Sequence, residues 1–93
     1  MATFLMLGKY SSEGVKGASA ARTKTISGMI EQCGGRVDAM YALLGEHDLA
    51  FIVTMPGINE ATKASFAISK ATGIAFSTSP AMTVSEFDRL VSD

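Results

Sequence analysis

MYALLGEHDLAFIVTMP, residues 40–56, is the stretch on which the fold turns. Leu49 to Met55 is rich in β-branched and aromatic residues and reads as a strand. Before it, Val37 to Leu44 alternates as a second strand. Val37, Ala39, Tyr41 and Leu43 are expected on one face; Asp38, Met40, Ala42 and Leu44 on the other. Between them Gly45-Glu46-His47-Asp48 is a turn, so the two strands form an antiparallel hairpin. Pro56-Gly57 stops the second of them.

Working outward, Thr3 to Tyr10 is apolar up to Lys9 without helical spacing and predicts a buried strand. Ser11 to Gly17 reads as a loop with one helical turn. From Ser19, an N-cap, the period changes: Ile26, Met29, Ile30 and Cys33 share one helical face, with Arg22, Lys24 and Glu31 largely on others. Gly34-Gly35 supplies the left-handed residue that ends the helix. Downstream of the hairpin, Asn59 is the expected N-cap of a helix with Ala61, Ala64, Ile68 and Ala71 on one face, ended by Gly73. Ile74 to Met82 is a further strand, and Pro80 assigns its second half to an edge. Thr83-Val84-Ser85-Glu86 is a capping box opening a short helix with Val84, Phe87, Leu90 and Val91 as its apolar stripe.

The order is β-α-β-β-α-β and a small helix: an α+β chain, expected to be one domain over residues 1–93. Right-handed crossovers give a four-stranded antiparallel sheet with strands one and three central and both long helices on one face. The other face should then turn polar, but it does not. In strand one Phe4 and Met6 oppose Leu5 and Leu7. In strand three Leu49, Phe51, Val53 and Met55 oppose Ala50 and Ile52. Leaving about six such side chains in water forgoes roughly 1.5–3 kcal/mol each, on the order of 10 kcal/mol together, comparable to the stability of a small domain. A second copy packed through a two-fold axis is the simplest cover, so a homodimer or higher oligomer through the sheet face is expected; the alternative is that the short terminal helix folds across the sheet.

Composition narrows the function classes. The chain is 47% hydrophobic and 18% charged, with eight Lys+Arg against nine Asp+Glu and a formal net charge of −1. No basic stripe exists to neutralise phosphates, which argues against nucleic acid, and the mixed charges argue against a membrane anchor. The apolar start, MATFLMLGKY, lacks the features of a signal peptide and is too short to span a bilayer. With a single cysteine, Cys33, no intrachain disulfide is possible, and a cytoplasmic location is expected.

Few residues offer chemistry. His47, the only histidine, is a general-base candidate beside Glu46 and Asp48 or simply a solvated turn residue. One His, one Cys and no close carboxylate cluster predict no metal site, and no cofactor motif is present: neither a Walker pattern nor G-x-G-x-x-G occurs. Cys33 sits at the C-terminal end of a helix, whereas a catalytic thiolate needs a basic neighbour or a helix N-terminus, so it reads as packing. Ser77-Thr78-Ser79 has no base nearby and reads as edge-strand hydrogen bonding. Lys9, Tyr10, Asp38 and Tyr41, near the ends of apolar strands, form with His47 a candidate pocket for a small apolar ligand. Taken singly, Lys9 and Asp38 also read as strand ends emerging into water, and the tyrosines as rim packing.

The run Met40 to Pro56, with TFLMLGKYS at the start and TSPAMTVSEFDRLV at the end, resembles the GYD-domain family, named for a Gly-aromatic-Asp signature between these two strands. Here that stretch is Gly45-Glu46-His47-Asp48, with His47 where tyrosine is commoner, so no role needing that tyrosine's hydroxyl carries over. The resemblance implies a ferredoxin-like fold of the dimeric α+β barrel type, in which two sheets pack face to face. It implies less about function, because that superfamily hosts monooxygenases, isomerases, haem-handling enzymes and effector-binding domains. The leading expectation is a small-molecule-binding or regulatory module acting as an oligomer. The alternatives are a cofactor-independent enzyme on a small apolar substrate, using Lys9, Tyr41 and His47, and a structural assembly subunit.

Overall fold

The computed structural model describes residues 1–92. The elements run β1 (Ala2–Tyr10), α1 (Ser12–Lys16), α2 (Ala20–Gln32), β2 (Arg36–Ala42), β3 (Leu49–Met55), α3 (Ile58–Thr72), β4 (Ile74–Ala81) and α4 (Val84–Val91). One four-stranded sheet has the order β2-β3-β1-β4, and every neighbouring pair is antiparallel. This is the α+β, ferredoxin-like arrangement. β1 and β3 are central, and Pro80 lies on the edge strand β4, where its missing N–H breaks no ladder.

Local signals place the elements. The Ser19 hydroxyl accepts from the Arg22 amide at 3.1 Å and starts α2. Gly34 (φ 85°) and Gly73 (φ 74°) take the left-handed conformation after α2 and α3. The cap of α3 corrects the expectation: Gly57 occupies it, without a side-chain bond, and Asn59 lies inside the first turn. Pro56 precedes Gly57, so the chain turns into the helix two residues earlier than the Asn59 signal implied.

The core lies between the sheet and α2 and α3. Phe4, Met6, Phe51, Val53 and Met55 face Ile26, Ile30, Ala61, Ala64 and Ile68, all buried. Burying a side chain such as Ile30 or Ile68, both fully enclosed, contributes about 1.5–3 kcal/mol. Ala71, expected on this face of α3, is exposed, because the helix is ending at Thr72.

β2 departs from simple alternation. Val37 pairs with Val53, but Ala39 pairs with Ile52, so Asp38 is the extra residue of a β-bulge. The expected faces are therefore mixed. Val37, Met40 and Ala42 fall opposite Val53, Phe51 and Leu49 on the helix side; Ala39 and Tyr41 fall opposite Ile52 and Ala50 on the other. The hairpin connection, residues 43–48, is also longer than the four-residue turn expected.

The second face of the sheet carries Leu5, Leu7, Ala39, Tyr41, Ala50 and Ile52, and no helix among the described residues packs across it. α4 forms as its capping box predicts, with the Glu86 amide donating to Thr83 Oγ1 at 3.1 Å, yet it buries no residue.

Candidate functional site

The candidate residues Lys9, Tyr10, Asp38, Tyr41 and His47 do not converge on one cavity. Lys9 is exposed, on the face shared by Leu5 and Leu7, and its ammonium donates to the Glu46 carbonyl at 3.2 Å. Tyr41, opposite Ala50, is 59% exposed on that same face. His47 is half-buried in the loop between β2 and β3. Asp38 stands in the bulge at the other end of β2. Its carboxylate accepts from Thr54 Oγ1 at 2.6 Å and from Arg36 Nε at 2.9 Å. The Thr54 hydroxyl foremost, then the Arg36 guanidinium, holds the carboxyl below its ordinary value, outweighing a desolvation effect of opposite sign.

Tyr10 alone of the five turns to the helix side, and there it meets a residue that sequence reasoning passed over. Arg22 sits in the first turn of α2, with its guanidinium carbon 5.4 Å from the Tyr10 ring centroid. Its Nη1 donates to the Gly14 carbonyl, fixing the side chain against α1. The two residues stand over a cleft of about 180 Å³ at the end of the core, floored by Ile26, Met40, Leu49 and Phe51, with Ser19 and Thr23 at its mouth. Tyr41 borders the cleft at the β2 end. Arg22 was expected off the buried face, but it lies one turn before Ile26 and two before Ile30. That i, i+4, i+8 line was the signal that could have found it.

Chemically the cleft offers an apolar floor, hydroxyls at the mouth and one fixed cation. None of its lining residues is a carboxylate, a histidine or a lysine, and its titratable side chains are Tyr10, Tyr41 and Arg22. Cys33 borders a different, open groove with Met29, Glu60 and Lys63, packed against the edge of the core. Within Ser77-Thr78-Ser79 only Thr78 is turned inward, and its hydroxyl pairs with that of Ser65 on α3 at 2.8 Å. Among the described residues, no cluster of His, Cys, Asp and Glu is placed to hold a metal ion, and no helix is long and apolar enough to cross a membrane.

The β2–β3 loop returns to the sheet through Asp48. The Asp48 amide donates to the Gly8 carbonyl at 2.8 Å, and its carboxylate accepts from the Tyr10 amide at 2.8 Å. A family model described as the GYD domain matches residues 4–91. The chain belongs to the GYD domain family. In this GYD domain the acidic residue that follows His47 is thus a structural tie: it continues the β1–β3 pairing beyond Gly8 and Leu49. No curated protein matches the GYD chain significantly by sequence. Among solved structures it is similar to the leucine response regulatory protein of Mycobacterium tuberculosis, at 8% identity and a TM-score of 0.58. That likeness takes in 88% of this chain and 51% of the other, about half its length, and it concerns the fold.

Proposed function

We propose that this GYD domain is a small-molecule-binding module of regulatory type, acting as one domain over residues 1–93 and as a pair of copies joined through the uncovered sheet face. The observation that carries the binding reading is the cleft beneath Tyr10 and Arg22. A mostly apolar pocket with one placed cation selects a small apolar molecule bearing an anionic group such as a carboxylate. Its volume, about 180 Å³, is below the roughly 300–1,000 Å³ of drug-sized sites, which limits the ligand to the size of one ring or one branched amino acid. The shared fold with a regulator named for leucine supports the same class.

The enzyme alternative loses support from the placements above. Lys9 lies on the opposite face of the sheet from the cleft floor, His47 does not line it, and Tyr41 reaches only its border.

The test is an amide chemical-shift titration with leucine, benzoate and the uncharged benzyl alcohol. The expected result is shifts confined to Ser19, Arg22, Thr23 and Tyr10, with the carboxylates binding at least about tenfold more tightly than the alcohol. Shifts scattered over the surface, or equal affinity for benzoate and benzyl alcohol, would contradict the reading.

A further inference from the structure

α4 is fully formed but unsupported by its own chain. Val84, Phe87, Leu90 and Val91 are 74%, 53%, 72% and 63% exposed, and all fall on one stripe of the helix. Isolated helices shorter than about 12–15 residues are marginal in water, and tertiary packing of the apolar face normally supplies their stability. Eight residues with their stripe in solvent therefore require a partner surface. The connection from β4 is only Met82-Thr83, without a glycine, and Thr83 is held as the cap. No residue of the helix is buried, and the molecule is 50 Å long against 29 and 18 Å.

The size of the missing contact is legible in the surface area. The chain exposes 6023 Å², whereas a compact monomer of 9.7 kDa exposes about 5,100 Å². The excess, roughly 900 Å², is close to the ~800 Å² that each partner contributes to a standard interface. The radius of gyration agrees: 13.9 Å against about 12.3 Å for a compact chain of this length. The stripe is also continuous with the uncovered sheet face. A groove of about 350 Å³ at the root of α4 is shared by Leu5 and Ile52 of that face and by Met82 and Glu86.

We propose that α4 is an arm that closes on a second copy of this chain, its Phe87 and Leu90 packing beside that copy's uncovered sheet face. This rests on the pairing in the proposed function and adds a second, separable contact to it. A two-fold axis seats both arms and covers both sheets at once. A membrane surface is the poorer occupant. Helices that lie on membranes carry a polar face rich in Lys and Arg, whereas α4 offers Arg89 alone against Glu86 and Asp88.

The test compares the full-length wild type, the double variant Phe87→Asp/Leu90→Asp and the single variant Ile52→Asp by sedimentation equilibrium. A Phe87→Ala/Leu90→Ala pair preserves helix propensity as a second form of the arm variant. Amide spectra report folding, and neither arm residue belongs to the core. The expected result is a wild-type dimer and folded arm variants whose dissociation constant rises on the order of 100-fold. Arm variants that associate like the wild type overturn the arm. If Ile52→Asp nevertheless dissociates the pair, the sheet-face reading stands without it. A monomeric wild type overturns both, and pelleting of the wild type with phosphatidylglycerol vesicles overturns the arm in favour of a lipid surface.

Discussion

The Asp48 carboxylate accepts the Tyr10 amide at 2.8 Å across 38 residues of sequence, joining the hairpin loop to the end of the central strand β1. Tyr10 is the last residue of β1, where the β1–β3 ladder has run out, and the carboxylate takes the place of the next strand partner. A hydrogen bond to a charged group contributes about 1.5–3 kcal/mol. Asp48→Ala should therefore lower the unfolding free energy by about that much, read as a lower urea midpoint at unchanged slope, and Asp48→Asn by less. An Asp48→Ala midpoint equal to wild type would show the tie to be incidental.

Asp38 makes stability depend on acid. Its carboxyl is held below the ordinary 3.8 by Thr54 and Arg36, so its contribution is fully present above that value and is lost as pH falls through the lower folded one. The stability difference between wild type and Asp38→Asn should be constant near neutrality and shrink only below about pH 3.8. A difference that is flat down to about pH 2 would contradict the assignment.

Two glycine substitutions should act in opposite directions. Gly28 lies inside α2, and a methyl group there would meet nothing within 4 Å, so Gly28→Ala should stabilise by about 0.5–1 kcal/mol. A methyl at Gly35 meets the Met55 sulfur and, at 2.7 Å, the Thr54 carbonyl, so Gly35→Ala should destabilise by about 1–3 kcal/mol. Thermal melts of the two variants check both signs.

How far the sequence could be read depended on which interactions were local. Caps and periodicity are local, and Ser19, Gly34, Gly73 and Thr83 mark the elements they were expected to mark. The bulge at Asp38 was not legible, because it arises from the pairing of β2 with β3 rather than from β2 alone, and it reverses the facing of the residues beyond it. The same reversal turned Tyr41 to the uncovered face, so that it meets the cleft only at its border. Tyr10 and Tyr41 looked equivalent as strand-end tyrosines, yet they lie on opposite faces of the sheet. Arg22 was missed because a charged residue in a first helical turn reads as a solvated one, and its partners Tyr10 and Gly14 come from other elements.

His47 and Arg22 should separate cleanly. His47→Ala should change stability by no more than about 0.5 kcal/mol and leave benzoate binding unaltered, since the ring does not line the cleft. Arg22→Met, which keeps the apolar stem, should weaken benzoate at least about tenfold and benzyl alcohol little. Equal losses for both probes would mean that Arg22 acts only by holding the shape of the cleft.

A sheet with one face covered by its own helices and the other by a second copy underlies everything proposed for this chain. Sedimentation equilibrium of the full chain at low micromolar concentration tests it most directly. The expected particle has about twice the chain mass of 9.7 kDa, with the Leu5, Leu7 and Ile52 side-chain methyls shielded from a soluble paramagnetic probe. A particle of 9.7 kDa that stays folded, with that face in contact with water, would contradict it.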